Sequence, residues 1–133
     1  MPVCKFISLL PDTMMNNGWI GVGLDGTLAQ FDGWIGPEHI GAPVPRMLER
    51  VKDWLDQGLD VRIFTDRVHA CPSDARRTYD ASVARQAIQI WCDLHVGRRL
   101  PVTCMTDCGM VELWDTRCIP VEENTGRRLD EQR

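Results

Sequence analysis

Residues 19–28, Trp-Ile-Gly-Val-Gly-Leu-Asp-Gly-Thr-Leu, constrain this chain more than any other stretch. An apolar run from Trp19 to Leu24 leads directly into Asp25-Gly26-Thr27. A short continuous apolar run bounded by a turn reads as a strand covered on both faces, the habit of parallel sheets. The acidic, glycine-containing turn then marks the carboxyl edge of that sheet. Open α/β folds put their ligand sites at that edge.

The rest of the chain supplies the partners such a strand needs. Residues 45–57 read as a helix. Pro45 suits its first turn, Met47, Leu48, Val51, Trp54 and Leu55 recur at helical spacing, and Gly58 stops it. Leu59 to Phe64 reads as a second strand ending at Thr65-Asp66-Arg67. Ser73-Asp74 starts a second helix over about 75–95, with Val83, Ala84, Ala87, Ile88, Trp91 and Leu94 as its apolar stripe. Pro101 to Cys104 and Met110 to Trp114 read as third and fourth strands, and Cys118 to Val121 as a fifth. Alternating strands and helices of this kind predict an α/β fold: a three-layer sandwich around a central, mainly parallel sheet.

The 133 residues suffice for one domain with one core, and no composition break divides 1–133. Residues 1–18 read as an N-terminal arm. Residues 25–44, rich in glycine and with Phe31, Trp34 and Ile35 as apolar anchors, read as a long loop rather than a linker, with little room in so small a fold for a cap domain beyond it. Residues 122–133 are polar and are expected to fray. A net charge of −4 gives no pull toward nucleic acid or an anionic membrane; Arg76-Arg77, Arg98-Arg99 and Arg127-Arg128 read as solvated ends. No apolar run approaches the roughly 20 residues of a membrane span, and Pro11 breaks the N-terminal run too early for a signal peptide. The expected location is therefore the cytoplasm, with the six cysteines as reduced thiols.

Polar residues gather at the ends of these strands: Asp25 and Thr27 after the first, Thr65 after the second, Thr106-Asp107 after the third, Asp115-Thr116 after the fourth. Gly23-Leu24-Asp25-Gly26-Thr27 resembles the first motif of the haloacid dehalogenase (HAD) superfamily, usually Asp-x-Asp-Gly-Thr after a hydrophobic strand. Asp32-Gly33-Trp34, Gly36-Pro37-Glu38-His39-Ile40-Gly41, Gly109 to Asp115 and Asn124-Thr125-Gly126 resemble small capless bacterial and phage members of it. The resemblance covers 19–126. It implies a HAD-like, Rossmannoid fold with no large cap domain, in which 25–44 is the flap loop over the active site, and a phosphatase chemistry. In that chemistry a first aspartate attacks phosphorus, a second serves as acid and base, and Mg²⁺ neutralises the phosphate.

Residue by residue, that machinery is incomplete here. Asp25 falls on the acid/base and Thr65 on the phosphate-binding hydroxyl. The nucleophile position holds Gly23, the lysine position Thr106, and the acidic pair Asp115-Thr116, with one carboxylate. The set Gly23, Asp25, Thr65, Thr106, Asp115 and Thr116 therefore reads as a vestigial pocket. The resemblance implies a pseudoenzyme: a binding or regulatory module for an unidentified protein partner or a phosphate-bearing ligand, with Thr27, Trp34 and Asp107 as contact candidates. One alternative is a slow Mg²⁺-dependent phosphatase or nucleotidase using Asp25 and Asp115. Another is a zinc-binding interaction module using Cys71, Cys104 and Cys108 with His69. No cofactor is expected, Mg²⁺ being the exception if activity remains.

Overall fold

The computed structural model describes residues 18–131. The expected arm lies almost wholly outside them. Within them the fold is α/β, with a four-stranded, all-parallel sheet and two helices. The strands are β1 (Trp19–Gly23), β2 (Asp60–Phe64), β3 (Val102–Thr103) and β4 (Met110–Trp114). The helices are α1 (Pro45–Asp56) and α2 (Ala75–His95). Their sheet order is β3-β2-β1-β4.

Helix boundaries follow local chemistry. Pro45 opens α1, where a missing N–H costs nothing, and Gly58 closes it in a left-handed conformation at φ 81°. At the start of α2, Asp74 Oδ1 accepts the Arg77 N–H at 3.1 Å, an N-cap.

Both crossovers, β1–α1–β2 and β2–α2–β3, step the same way along the sheet. Right-handed connections of that kind place both helices on one face. The core agrees. Ile20 and Val22 of β1 stand beside Val61 and Ile63 of β2, and one cluster joins them to Met47, Val51 and Trp54 of α1 and Ile88, Trp91 and Cys92 of α2. The other face carries Trp19, Gly21 and Gly23. There the Arg62 guanidinium lies 4.7 Å over the Trp19 ring, and a side chain at residue 21 would meet Leu113 at 3.1 Å. Among the described residues no helix covers that face, so the third layer of the expected sandwich is not found there. The link from β3 to β4 passes Trp19 instead, whose Nε1 donates to Asp107 at 2.8 Å.

Other local expectations also change. Cys118–Val121 forms no strand; Val121 makes a single bridge to Arg128. The polar stretch expected to fray is tied into a turn, with Glu122 N–H donating to the Arg127 carbonyl at 2.7 Å and Arg127 Nε to Glu122 at 2.9 Å. Leu94 is 74% exposed, because α2 carries a second apolar strip of Val83, Ala87, Ile90 and Leu94 beside its buried one. No helix among the described residues is long and apolar enough to cross a membrane.

Candidate functional site

The chain leaves β1 toward β2 and β3, then returns to the other side of β1 to build β4. Strand order therefore reverses between β1 and β4. Outside the carboxyl ends of two such strands lies the crevice in which open α/β sheets bind ligands. Asp25 and Asp115 stand there, and both line a cavity of about 400 Å³ with Thr65, Asp66, Arg67, Thr116, Arg117 and the aromatic rings of Phe31, Trp34 and Phe64.

The turn after β1 is tight. The Leu24 carbonyl accepts from the N–H groups of Thr27, Leu28 and Ala29, and Gly26 adopts φ 80°. Leu28 and Ala29 are fully buried, so they, rather than Phe31, Trp34 and Ile35, anchor the flap. Its base closes through Gln30 N–H to the Ala42 carbonyl at 2.8 Å and Val44 N–H to Leu28 at 2.8 Å. The tip leaves Phe31 46%, Trp34 58% and Ile35 72% exposed.

Arg67 organises the cavity, and the motif comparison did not single it out. Its Nε and Nη2 donate to the two oxygens of Asp25 at 2.8 and 2.9 Å, a bidentate pair. Its Nη1 donates to the His39 carbonyl at 2.8 Å and lies 3.4 Å from that of Gly36. The guanidinium lies 4.8 Å from the centre of the Trp34 ring. One side chain, 4% exposed, thus fixes both Asp25 and the flap. A short 3₁₀ turn at Asp66–Val68 delivers it, capped by buried Thr65, whose hydroxyl accepts the Arg67 N–H at 3.3 Å. The available signal was an arginine immediately after a strand end, facing an aspartate that lacked a counter-charge.

Asp115 fills the space that a side chain at residue 23 would need. A Cβ there would lie 2.7 Å from Asp115 Oδ2 and 3.2 Å from Thr27 Oγ1. Asp115 Oδ1 accepts from Arg117 N–H at 2.8 Å and Nε at 3.4 Å, and this pairing raises the Arg117 pKa above its ordinary value. Thr27 Oγ1 is buried without a partner among the described residues.

The fold brings Gly23, Asp25, Thr27, Thr65, Asp115 and Thr116 together, with Trp34 over Arg67. It separates Thr106 and Asp107 from them. Neither lines the cavity, and Asp107 sits beside Trp19, the first residue of β1, while Gly23 is the last. The link reaches back to the start of β4, so it cannot stay at the carboxyl edge.

Mg²⁺ takes near-octahedral oxygen ligation. Both Asp25 oxygens are held by Arg67 and residue 23 offers no side chain, which leaves Asp115 Oδ2 as the one carboxylate oxygen without a donor among the candidate ligands. The donor set does not fit that ion. Among the described residues no three His, Cys, Asp or Glu side chains converge as metal ligands, so Cys71, Cys104 and Cys108 are not gathered for zinc. No family model, curated protein or solved structure matches the chain.

Proposed function

We propose that this protein is a HAD-like pseudoenzyme, a binding or regulatory module that offers its cavity and flap to a partner. The observation carrying this reading is the Asp25–Arg67 pair. A general acid must release and regain a proton at the reacting atom. Here both Asp25 oxygens accept from one guanidinium that is nearly buried, which occupies them and holds the carboxylate away from any reacting atom. No carboxylate precedes it at residue 23 to attack phosphorus. The same arginine fixes the flap, so the exposed Phe31, Trp34 and Ile35 form a preorganised contact surface. Aromatic residues held rigid in this way are favoured anchors of protein interfaces. The cavity lining holds three aspartates against two arginines, which favours a protein partner over a phosphate-bearing ligand.

A generic aryl-phosphate assay with Mg²⁺ tests the reading. The unmodified protein should give no turnover above buffer. Turnover that disappears in Asp25→Asn would establish a phosphatase and end the binding-module reading.

A further inference from the structure

We infer that the cavity between the flap and the ends of β1 and β4 receives a basic side chain, lysine or arginine, from a partner protein. This rests on the cavity being a binding site, which the turnover assay above tests separately.

The first observation is Asp115. Its side chain is 8% exposed. Its Oδ1 is satisfied by Arg117, while among the described residues nothing donates a hydrogen bond to Oδ2. Oδ2 is not among the buried atoms left without a partner, so it keeps its opening to the cavity, where a ligand N–H can take the place of water.

The second is the charge around it. Asp25 and Arg67 neutralise each other through their bidentate pair. That leaves Asp66 and Asp115 facing Arg117 alone. Asp66 lies 3.7 Å from Arg117 at its nearest and is 73% exposed, so one guanidinium is shared between two carboxylates. The cavity has room for one more positive charge.

The third is the wall. Phe31, Trp34 and Phe64 line the same cavity. Aromatic faces attract organic cations, and Trp34 already holds one, the Arg67 guanidinium at 4.8 Å. Carboxylates and aromatic rings together form a receptor for a long basic side chain, whose apolar stem packs on the rings while its head meets Asp66 and Asp115. A phosphate would meet the same two carboxylates and be repelled.

The test is an amide and indole NMR titration of the full chain with the blocked tripeptide amides Gly-Arg-Gly, Gly-Lys-Gly and Gly-Glu-Gly, with putrescine and with inorganic phosphate. Either basic peptide should give saturable shifts at the Trp34 indole, Thr116 and Arg117. The acidic peptide and phosphate should give none. Asp115→Asn should weaken the response at least tenfold, while Asp93→Asn on α2, outside the cavity, should leave it intact. Since Asp115 also holds the turn to Arg117, Trp34→Leu is a second variant that keeps the carboxylates, and it should weaken binding several-fold. The proposal is overturned if neither basic peptide shifts these signals, if their response survives both variants, or if phosphate produces it. Putrescine binding with both peptides silent overturns the assignment to a protein partner.

Discussion

Returning a carboxylate to residue 23 should damage the fold rather than restore a catalyst. Gly23→Ala isolates the steric part. The new Cβ would stand 2.7 Å from Asp115 Oδ2 and 3.1 Å from its Cγ, both inside normal contact. Asp115 is nearly buried and held through Oδ1, so it cannot simply swing away. Overpacking of this kind costs about 1–3 kcal/mol. Removing a glycine from a strand interior returns about 0.5–1 kcal/mol. The net expectation for Gly23→Ala is a loss of about 1–2 kcal/mol. Gly23→Asp adds a second carboxylate close to the first. Two like charges about 4 Å apart repel by about 4 kcal/mol at the effective dielectric of a protein surface. Taking up a proton instead costs about 4 kcal/mol at neutral pH, some three pH units above an ordinary aspartate pKa, so it relieves little of this repulsion. The Gly23→Asp loss should therefore reach roughly 5 kcal/mol, a large part of the 5–15 kcal/mol typical of a domain. Urea unfolding followed by tryptophan fluorescence measures both variants. Lowering the pH toward 5 should recover part of the Gly23→Asp loss, because protonation removes the repulsion, and Gly23→Asp with Asp115→Asn should recover it at neutral pH. A Gly23→Asp protein as stable as the parent that hydrolyses an aryl phosphate with Mg²⁺ would refute the argument.

Three further outcomes are expected. Arg67→Met should lower stability by about 2–3 kcal/mol, since it leaves the Asp25 carboxylate, 22% exposed, without its counter-charge, and it should free the flap, seen as faster amide exchange at Gly36–Gly41. Thiol alkylation followed by mass spectrometry should label Cys71 quickly, because hydrogen bonds from Ser73 lower its pKa, and Cys92 only on unfolding, because burial pushes its thiol up to about 11. Since the unfolded Cys92 ionises first, its contribution is complete below about pH 8.5 and is lost as pH rises toward about 11. Asp107 titrates below the usual carboxylate range, held there by the Trp19 indole and then the Gly109 N–H. Its stabilising contribution should be present above about pH 4 and be lost on acidification through its lowered pKa, with a Trp19 fluorescence change that Asp107→Asn abolishes.

Much of the framework was legible because it depends on local pattern. The apolar run of β1, the Pro45 start and Gly58 stop of α1, and the Asp74 cap of α2 are all readable from neighbouring residues, and they fall within a residue or so of the expected places. What was missed depends on contacts across the chain. Arg67 meets Asp25 over 42 positions and has no motif of its own. The fate of Thr106 and Asp107 depends on the path from β3 back to β4, which turn composition does not specify. Leu94 fits the helical period, but α2 satisfies that period on two faces, and periodicity alone does not say which one meets the sheet. Phe31, Trp34 and Ile35 looked like anchors by hydrophobicity, whereas the smaller Leu28 and Ala29 fill the space beneath the turn.

The position of β1 has a consequence for how the molecule is made. It is paired on both edges, with β2 on one side and β4 on the other, yet β4 is separated from it by most of the chain. Until residues 110–114 have emerged from the ribosome, one edge of this apolar strand has open backbone groups, a template for pairing with any other nascent chain. A premature stop between α2 and β4 would leave that edge permanently bare, and such fragments should accumulate as aggregates rather than as soluble, half-finished domains.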